Sequence, residues 1–285
     1  MIQSMTGYGK SLVQLPSKKI TVEIKSLNSK NLDVNARVPS AYREKELDIR
    51  KRISKSLSRG KVDFNLYVEQ TGEETSTVIN ETAVKQYMKQ LAHITDGDPV
   101  ELMKMAVRFP DALQTERDEV DETEYNKIIE AVDEALHSIN EYRNDEGKAL
   151  ESDFKKRITN ISSLLDEVME LDPQRMDNVK ERLTKAVSDL KETVDENRFE
   201  QELVYYLEKY DITEEQVRLS NHLSYFSETL QSKDSNGKKL GFISQEIGRE
   251  INTIGSKANF APMQQVVVQM KDELEKIKEQ ALNVL

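Results

Sequence analysis

Two segments in the last third of the chain carry polar side chains at a spacing that could support chemistry. In DITEEQVRLSNHL, four polar residues follow each other at intervals of 4, 3 and 4 positions, which places them on one stripe of a helix. They are Asp211, Glu215, Arg218 and His222. QEIGREINTIGSK repeats this spacing in two adjacent stripes. One stripe holds Glu246, Glu250, Thr253 and Lys257, and the other holds Gln245, Arg249, Asn252 and Ser256.

These stripes mix carboxylate, amide, hydroxyl and guanidinium groups, which together can bind a hard metal ion and phosphate groups. His222 adds an imidazole, a group that can move a proton or bind a metal. The alternative interpretation is a solvated lattice of ion pairs between residues four apart. The pattern alone favours that lattice.

The N-terminal 70 residues are predicted to form a small α+β layer. Residues 19–38 alternate between apolar and polar positions on both sides of the turn-like NSKN at 28–31, which predicts a β-hairpin. A strand within residues 1–15 precedes it. From Pro39 the spacing is helical, and Gly60 is predicted to cap the end of this helix. Alternation at 62–68 predicts a further strand, so the expected order is β-β-β-α-β.

The rest of the chain is predicted to be helical, beginning after a polar linker at 71–77. Short helices are expected at 81–94 and 99–108. Apolar residues at heptad-like steps predict two long helices, which Asp172-Pro173 should separate into an antiparallel hairpin. The seam positions are Ile158, Ile161, Leu165, Val168, Met176, Val179, Leu183, Val187, Leu190 and Val194. Further helices are expected across 199–232, 240–257 and 262–283.

The predicted fold class is therefore α+β, with a small antiparallel sheet, a long coiled-coil-like helical hairpin and an all-α C-terminal domain. Four parts are expected. They are a basic α+β unit at 1–72, a connector of short helices at 73–123, the hairpin at 124–198 and the C-terminal domain at 199–285. An isolated hairpin would leave much of its apolar stripe exposed, which predicts self-association.

Charge is distributed unevenly along the 285 residues, whose net charge is −11. Residues 1–70 contain 14 Lys and Arg against 7 Asp and Glu, a net charge of +7, which leaves −18 for the remainder. Such asymmetry indicates contact between the basic segment and a polyanion, or charge pairing between domains or subunits.

Several classes of site and location are excluded or disfavoured. The absence of cysteine excludes disulfides, thiolate zinc sites and cysteine nucleophiles. No apolar run approaches the length of a membrane span and no signal peptide is recognisable, so we expect a cytoplasmic protein without membrane contact. The sequence SMTGYGKS at 4–11 ends like a phosphate-binding P-loop, but Ser4 stands where that loop needs glycine. No nucleotide cofactor is expected.

Five segments give the chain a family resemblance. SMTGYGK, EIKSLNSKNLD at 23–33, LSRGKVD at 57–63, DITEEQVRLSNH at 211–222 and QEIGREINTIGSKAN at 245–259 resemble the YicC/YloC family of bacterial proteins. The motifs lie near both ends and in the same order, so the resemblance covers essentially the whole chain. It implies an endoribonuclease that depends on Mn²⁺ or Mg²⁺. It also implies a homo-oligomer, a hexamer, with long helical hairpins and a central space accessible to RNA.

The resemblance also implies which residues form the site. The family's polar motif falls here on Asp211, Glu215, Arg218, His222, Lys239, Gln245, Glu246, Arg249, Glu250, Asn252, Thr253, Ser256 and Lys257. At two positions the chain departs from the family pattern. The chain has LGF at 240–242 where LDF is common in the family, so Gly241 replaces an aspartate. It has GRE at 248–250 where NRE is common, so Gly248 replaces an asparagine.

Roles follow from this implied site. Glu246 and Glu250 are expected to ligate the metal, with His222 as a third ligand or general base. Asp211 and Glu215 are expected as further ligands or as residues that orient His222. The catalytic residues would be His222, Glu246, Glu250 and Arg249. The residues expected to bind RNA are Arg218, Lys239, Asn252, Ser256 and Lys257, together with Arg50, Lys51, Lys55, Arg59 and Lys61 of the basic segment.

Two other functions remain open at this point. One is a non-catalytic RNA-binding oligomer that presents RNA to other decay enzymes, and the other is a coiled-coil scaffold without a role in nucleic-acid binding. Loss of activity on removal of the metal would separate an enzyme from an adaptor, and RNA binding would separate both from a scaffold.

Overall fold

A computed structural model describes residues 2–71, 77–115, 121–189, 196–232 and 236–285. The N-terminal elements are β1 (Gly7–Gln14), β2 (Lys18–Leu27), β3 (Leu32–Arg37), a 3₁₀ helix (Ser40–Lys45), α1 (Glu46–Ser56) and β4 (Gly60–Gln70). This order confirms the predicted β-β-β-α-β arrangement. The α+β class is confirmed as well, since every longer element after β4 is helical in the part of the chain that the structure describes.

The predicted hairpin across 19–38 is wrong, because β2 and β3 are not neighbours. The sheet order is β1-β2-β4-β3, and β3 pairs with β4 in parallel, with Leu32 opposite Gly60 and Ala36 opposite Phe64. Parallel strands need a crossover connection, which the 3₁₀ helix and α1 supply. The turn at 28–31 does not join paired strands, and Asn28 Nδ2 donates instead to the carbonyl of Leu282 at 2.5 Å.

Gly60 does not cap α1, contrary to the prediction. The helix ends at Ser56, with Leu57 as its extended C-cap residue. Gly60 is the first residue of β4 and has a φ of 122°, a conformation that residues with a Cβ rarely adopt. Because Leu57 is fully buried, the end of α1 is held by packing against the sheet rather than by a glycine cap.

The connector contains more structure than the sequence predicts. Helices α2 (Glu81–Ile94) and α3 (Pro99–Ala106) lie close to the expected positions. Strands β5 (Thr77–Ile79) and β6 (Leu113–Thr115), which the sequence analysis does not predict, pair antiparallel on either side of them. The predicted linker at 71–77 falls mostly outside the described residues.

The predicted break at Asp172-Pro173 is wrong, because a single helix, α4, runs from Glu122 to Ser188 with Pro173 inside it. Proline removes one backbone hydrogen bond and crowds the preceding turn, so tertiary contacts must offset that cost. Arg175 makes one such contact: it is only 1% exposed, and its Nη1 lies 3.5 Å from the carbonyl oxygen of Lys257. Its ion pair with Asp172, at 2.6 Å, lies within α4 itself. The predicted hairpin is therefore not formed at this proline. Leu190 and Val194 lie outside the described residues.

Four helices follow α4 in the described residues: α5 (Glu196–Tyr210), α6 (Thr213–Leu230), α7 (Gly237–Lys257) and α8 (Ala261–Ala281). The first half of the predicted seam is buried with residues of α6, α7 and α8 in one apolar core, so these residues are packing surface. This half of the seam is Ile158, Ile161, Leu165 and Val168. Because the chain covers these four residues itself, they give no reason for self-association. In the second half of the seam Val179 is buried, whereas Met176, Leu183 and Val187 are only partly buried.

The chain divides into two compact units. One contains Met1–Gly7, Ser26–Asn31 and Asn140–Leu285, and the other contains Tyr8–Lys25 and Leu32–Ile139. Each unit has its own apolar core. The part of α4 up to and including Ile139 belongs to the second unit, and the part from Asn140 onward belongs to the first. The four-part division of the chain stays a prediction. Among the described helices, none combines the length and apolar character that crossing a bilayer requires.

Candidate metal centre

Helices α6 and α7 pack against each other in antiparallel register. At one end, Lys257 Nζ near the end of α7 donates to Glu215 Oε1 near the start of α6 at 2.8 Å. At the other, Lys239 Nζ near the start of α7 lies 4.6 Å from the ring centroid of Tyr225 near the end of α6. Between these contacts, both helices bury apolar residues at helical spacing in the core. They are Leu219, Leu223 and Phe226 of α6, and Ile243, Ile247, Ile251 and Ile254 of α7.

This register brings three metal-binding side chains together from separate stripes of the sequence. One ligand atom each of His222, Glu246 and Glu250 lies within 4.8 Å of the others. Glu250 is only 5% exposed, whereas His222 is partly exposed and Glu246 is exposed. Because the two glutamates are four residues apart on α7, they share one helix face and meet the histidine of α6.

The three side chains make few contacts of their own. Within the described residues, the side chains of His222 and Glu250 form no hydrogen bond or ion pair. Glu246 has a loose ion pair with Arg249, with 3.8 Å between Oε2 and Nη1. The side chain of Glu250 is mostly buried, but its carboxylate oxygens remain accessible from the neighbouring cleft and have no partner in the described protein, so they are available to a cation.

An open cleft of about 540 Å³ contains this group. The cleft carries both signs of charge, so it can hold a cation and an anionic ligand side by side. Its lining consists of Glu215, Arg218, His222, Glu246, Arg249, Glu250 and Thr253.

Two residues predicted as metal ligands are not members of the three-residue group. Asp211 lies just before α6, and its Oδ1 accepts hydrogen bonds from Thr213 Oγ1 at 2.7 Å and from Thr213 N at 2.9 Å. These bonds favour the charged form and lower the pKa of the Asp211 carboxyl group. Asp211 therefore binds Thr213, the first residue of α6, from the position before the N-cap residue Ile212, at a break in the helical region that the sequence analysis does not predict.

Glu215 lines the cleft and is 6% exposed. Its Oε1 is bound by Lys257, whereas its Oε2 is buried without a hydrogen-bond partner among the described residues. Lys257 Nζ also donates to the carbonyl of Asp211 at 2.8 Å. Lys257, predicted to bind RNA, is thus engaged in holding the end of α7 to the start of α6.

The other residues predicted to bind RNA in this region are distributed over the surfaces of α6 and α7. Arg218 and Arg249 line the cleft, and Arg218 pairs with Glu214 outside it. Asn252 and Ser256 are exposed and do not line the cleft, and Ser256 Oγ donates to the carbonyl of Thr253 in its own helix. Lys239 lies over Tyr225.

The basic residues predicted near the N-terminus belong to the other compact unit. Arg50 is already engaged, since its Nε donates to Glu46 at 2.7 Å and its Nη1 donates to the carbonyl of Val34. Lys51 and Lys55 on α1 and Lys61 on β4 are exposed. Arg59, between α1 and β4, is partly exposed.

Comparison with known proteins agrees with the resemblance noted in the sequence. A family model described as "Endoribonuclease YicC-like, N-terminal region" matches residues 2–152, and one described as "Endoribonuclease YicC-like, C-terminal" matches residues 168–285. The chain belongs to the YicC-like family. It is 33% identical over 293 aligned residues to a protein of Clostridioides difficile (strain 630) named "Probable endoribonuclease YicC". It is 27% identical over 287 residues to a protein of the same name from Haemophilus influenzae. Both alignments cover the whole of each chain.

Neither departure from the YicC/YloC pattern falls in the cleft lining. A Cβ at Gly248 would lie 3.1 Å from the Leu274 side chain, so this position faces α8. A Cβ at Gly241 would meet nothing within 4 Å. Neither glycine is therefore a member of the group formed by His222, Glu246 and Glu250.

Two exposed aromatic side chains near this group were not singled out from the sequence. Tyr225 follows His222 by three positions on α6, and Phe242 precedes Glu246 by four on α7. Helical spacing alone could have drawn attention to them, because residues three or four apart share a face.

We expect the contact between Lys257 and Glu215 to stabilise the packing of α6 on α7. Replacing Lys257 with Met leaves a buried carboxylate unpaired and should lower the free energy of unfolding by about 2 kcal/mol, between the values for exposed and fully buried pairs. The matched control is Lys278→Met. The Lys278 side chain is 35% exposed against 30% for Lys257, but its partner Glu275 is 65% exposed against 8% for Glu215.

Urea unfolding followed by far-ultraviolet circular dichroism measures both variants. The free energy of unfolding of the Lys278→Met control should fall by less than about 1 kcal/mol. Equal losses in the two variants would show that the buried pair contributes nothing beyond an ordinary surface contact.

Proposed function

We propose that this endoribonuclease cleaves RNA phosphodiester bonds with a divalent cation held by His222, Glu246 and Glu250. The observation that carries the proposal is the convergence of these three donors from two helices, with Glu250 buried and without a protein partner. A lattice of surface ion pairs, the alternative interpretation of the sequence, does not account for Glu250.

The donor set fits a divalent cation. Two carboxylates and one imidazole suit Mn²⁺, and carboxylate oxygens also suit Mg²⁺ when water completes the shell. When bound, the cation would activate a water or ribose hydroxyl and neutralise charge on the scissile phosphate.

The arginines of the cleft have a separate role. Arg249 is well exposed, with 76% of its side chain accessible, and only a 3.8 Å contact holds it to Glu246. A guanidinium can bind two phosphate oxygens at once, so we expect Arg249 and Arg218, which line the cleft, to bind the RNA backbone. Lys257, already bound by Glu215 and the Asp211 carbonyl, positions the two helices.

His222 contributes an imidazole that is partly exposed and makes no hydrogen bond with the described protein. As a ligand it would use one ring nitrogen and leave the other free to contact solvent or RNA. As a general base it would accept the proton of the attacking hydroxyl. Both roles need the same placement beside Glu246 and Glu250.

Removal of one carboxylate tests the proposed site. Glu250→Gln keeps the shape of the side chain but removes its charge, so cleavage of an end-labelled RNA with Mn²⁺ should fall at least about 100-fold. We base this figure on the 10- to 100-fold losses caused by changes to residues that merely support ligands. The matched control is Glu275→Gln, an exposed glutamate of α8.

Chelation should abolish cleavage by the unaltered protein, and added Mn²⁺ should restore it. Analysis of the product ends then separates two chemistries: a 2′,3′-cyclic phosphate indicates attack by the ribose hydroxyl, and a 3′-hydroxyl indicates attack by water. Unchanged cleavage by Glu250→Gln, or cleavage that persists in EDTA, would remove the proposed metal site.

The basic residues of the N-terminal unit are proposed to bind the RNA backbone. Three lysines, Lys51, Lys55 and Lys61, are exposed and form no ion pair within the described residues. Changing all three to Gln should reduce the slope of log affinity against log salt by roughly 2, because each phosphate contact on a single strand releases about 0.7 counterion.

The control for this measurement is a triple Lys→Gln change at Lys85, Lys89 and Lys104, which alters the net charge equally but lies on α2 and α3. Binding is measured in EDTA so that cleavage does not interfere. Identical salt slopes for the two triple variants would place the RNA path elsewhere.

Self-association is proposed on the surface of α5, not on the seam of α4. No side chain of α5 whose environment the structure describes is fully buried, and its apolar face at helical spacing, formed by Leu203, Tyr206, Leu207 and Tyr210, is partly exposed. An apolar helix face of this kind is typical of an interface between subunits. Light scattering coupled to gel filtration should give a mass that is a multiple of 32.8 kDa, up to the proposed hexamer. A monomer would contradict this.

A further inference from the structure

Two aromatic rings stand exposed at the same end of the α6–α7 pair. Tyr225 is 45% exposed and Phe242 is 57% exposed. Their neighbours Phe226 and Ile243 are buried, so the core of this helix pair is filled by other residues. The fold therefore does not require the rings of Tyr225 and Phe242 for packing.

Both rings lie within about one helical turn of the proposed metal ligands. Tyr225 follows His222 by three positions on α6, and Phe242 precedes Glu246 by four on α7. Residues at these spacings share a helix face, and one turn advances by about 5.4 Å. Lys239 of α7 contacts Tyr225 of α6, with 4.6 Å between the lysine Nζ and the ring centroid, so this end of α7 lies beside the end of α6 that carries Tyr225.

A lysine ammonium group lies near each of the two rings. Besides Lys239 over Tyr225, Lys238 Nζ lies 5.9 Å from the ring centroid of Phe242. Neither lysine forms an ion pair with a carboxylate within the described residues. Their charge is therefore available to phosphate. Aromatic faces beside unpaired cations are the combination by which proteins bind single-stranded nucleic acid, since bases stack on the rings while cations follow the backbone.

We propose that Tyr225 and Phe242 form a stacking subsite for unpaired nucleobases next to the cleavage site. The substrate is then an unpaired stretch of RNA, because the bases of a duplex stack on each other and do not present their faces. Lys238 and Lys239 hold the adjoining phosphates. This inference rests on the proposed function, since it takes RNA as the ligand of the cleft.

The experiment measures binding in EDTA, where the proposed cation plays no part. The probe is a fluorescein-labelled single-stranded oligoadenylate, and a second probe carries 2-aminopurine, whose fluorescence falls when the base stacks on an aromatic ring. Tyr225→Leu and Phe242→Leu remove the ring but keep an apolar side chain. Each should raise the Kd about tenfold, within the range for loss of one stacked base, and should relieve the quenching.

Two variants control for other effects. Tyr142→Leu makes the same change at a tyrosine of α4 that is 51% exposed, and it should leave the Kd within about twofold, because the loss of stacking should be confined to bases at the proposed subsite. Tyr225→Phe keeps the ring and should recover the affinity that Tyr225→Leu loses. The Leu variants should bind a blunt RNA duplex as the unaltered protein does.

Three results would overturn the subsite. One is unchanged affinity and quenching in both Leu variants. The second is a fall in native mass in those variants, which would assign the rings to a contact between copies of the chain. The third is failure of the unaltered protein to bind RNA, which would end the proposed function as well. Metal-dependent cleavage that survives the first result would leave the proposed function intact without the subsite.

Discussion

The antiparallel register of α6 against α7 is the constraint on which the candidate site depends. Each helix alone presents a polar stripe that resembles many solvated surfaces. Only the register places the imidazole of His222 opposite the carboxylates of Glu246 and Glu250. The apolar stripes on the opposite sides of both helices fix this register, because a helix that slips by one turn must break their packing in the core. The packing of the core therefore determines the relative positions of the candidate site residues.

Two mostly buried glutamates of this helix pair, Glu215 and Glu250, differ in whether a protein cation pairs with them. Glu215 receives a counter-charge from Lys257, which also binds the Asp211 carbonyl and so joins the ends of the two helices. Glu250 is buried to a similar extent but has no cation from the described protein. Its carboxylate oxygens remain accessible beside His222 and Glu246, and this arrangement is the basis of the proposed cation site. The first glutamate serves the fold and the second serves the proposed chemistry.

The sequence predicted what depends on local periodicity and missed what depends on distant contacts. Helical spacing placed Glu246 and Glu250 on one face, and the structure agrees. Spacing within one helix cannot show which residue of another helix lies opposite, so the sequence grouped Asp211, which precedes α6 and binds Thr213, with the candidate ligands. Pro173 was interpreted as a break because the sequence does not show that Arg175 is buried against the Lys257 carbonyl. The β2–β3 hairpin was predicted for the same reason: alternation gives strands but not their order in the sheet.

Diffraction from crystals of the protein soaked in Mn²⁺, with data collected at the manganese absorption edge, tests the central claim most directly. The account predicts an anomalous peak within coordination distance of a nitrogen of His222 and of carboxylate oxygens of Glu246 and Glu250, and its disappearance in crystals of Glu250→Gln. A soaked crystal whose only manganese peaks lie elsewhere, with His222 and the two glutamates hydrogen-bonded to protein or water, would contradict it.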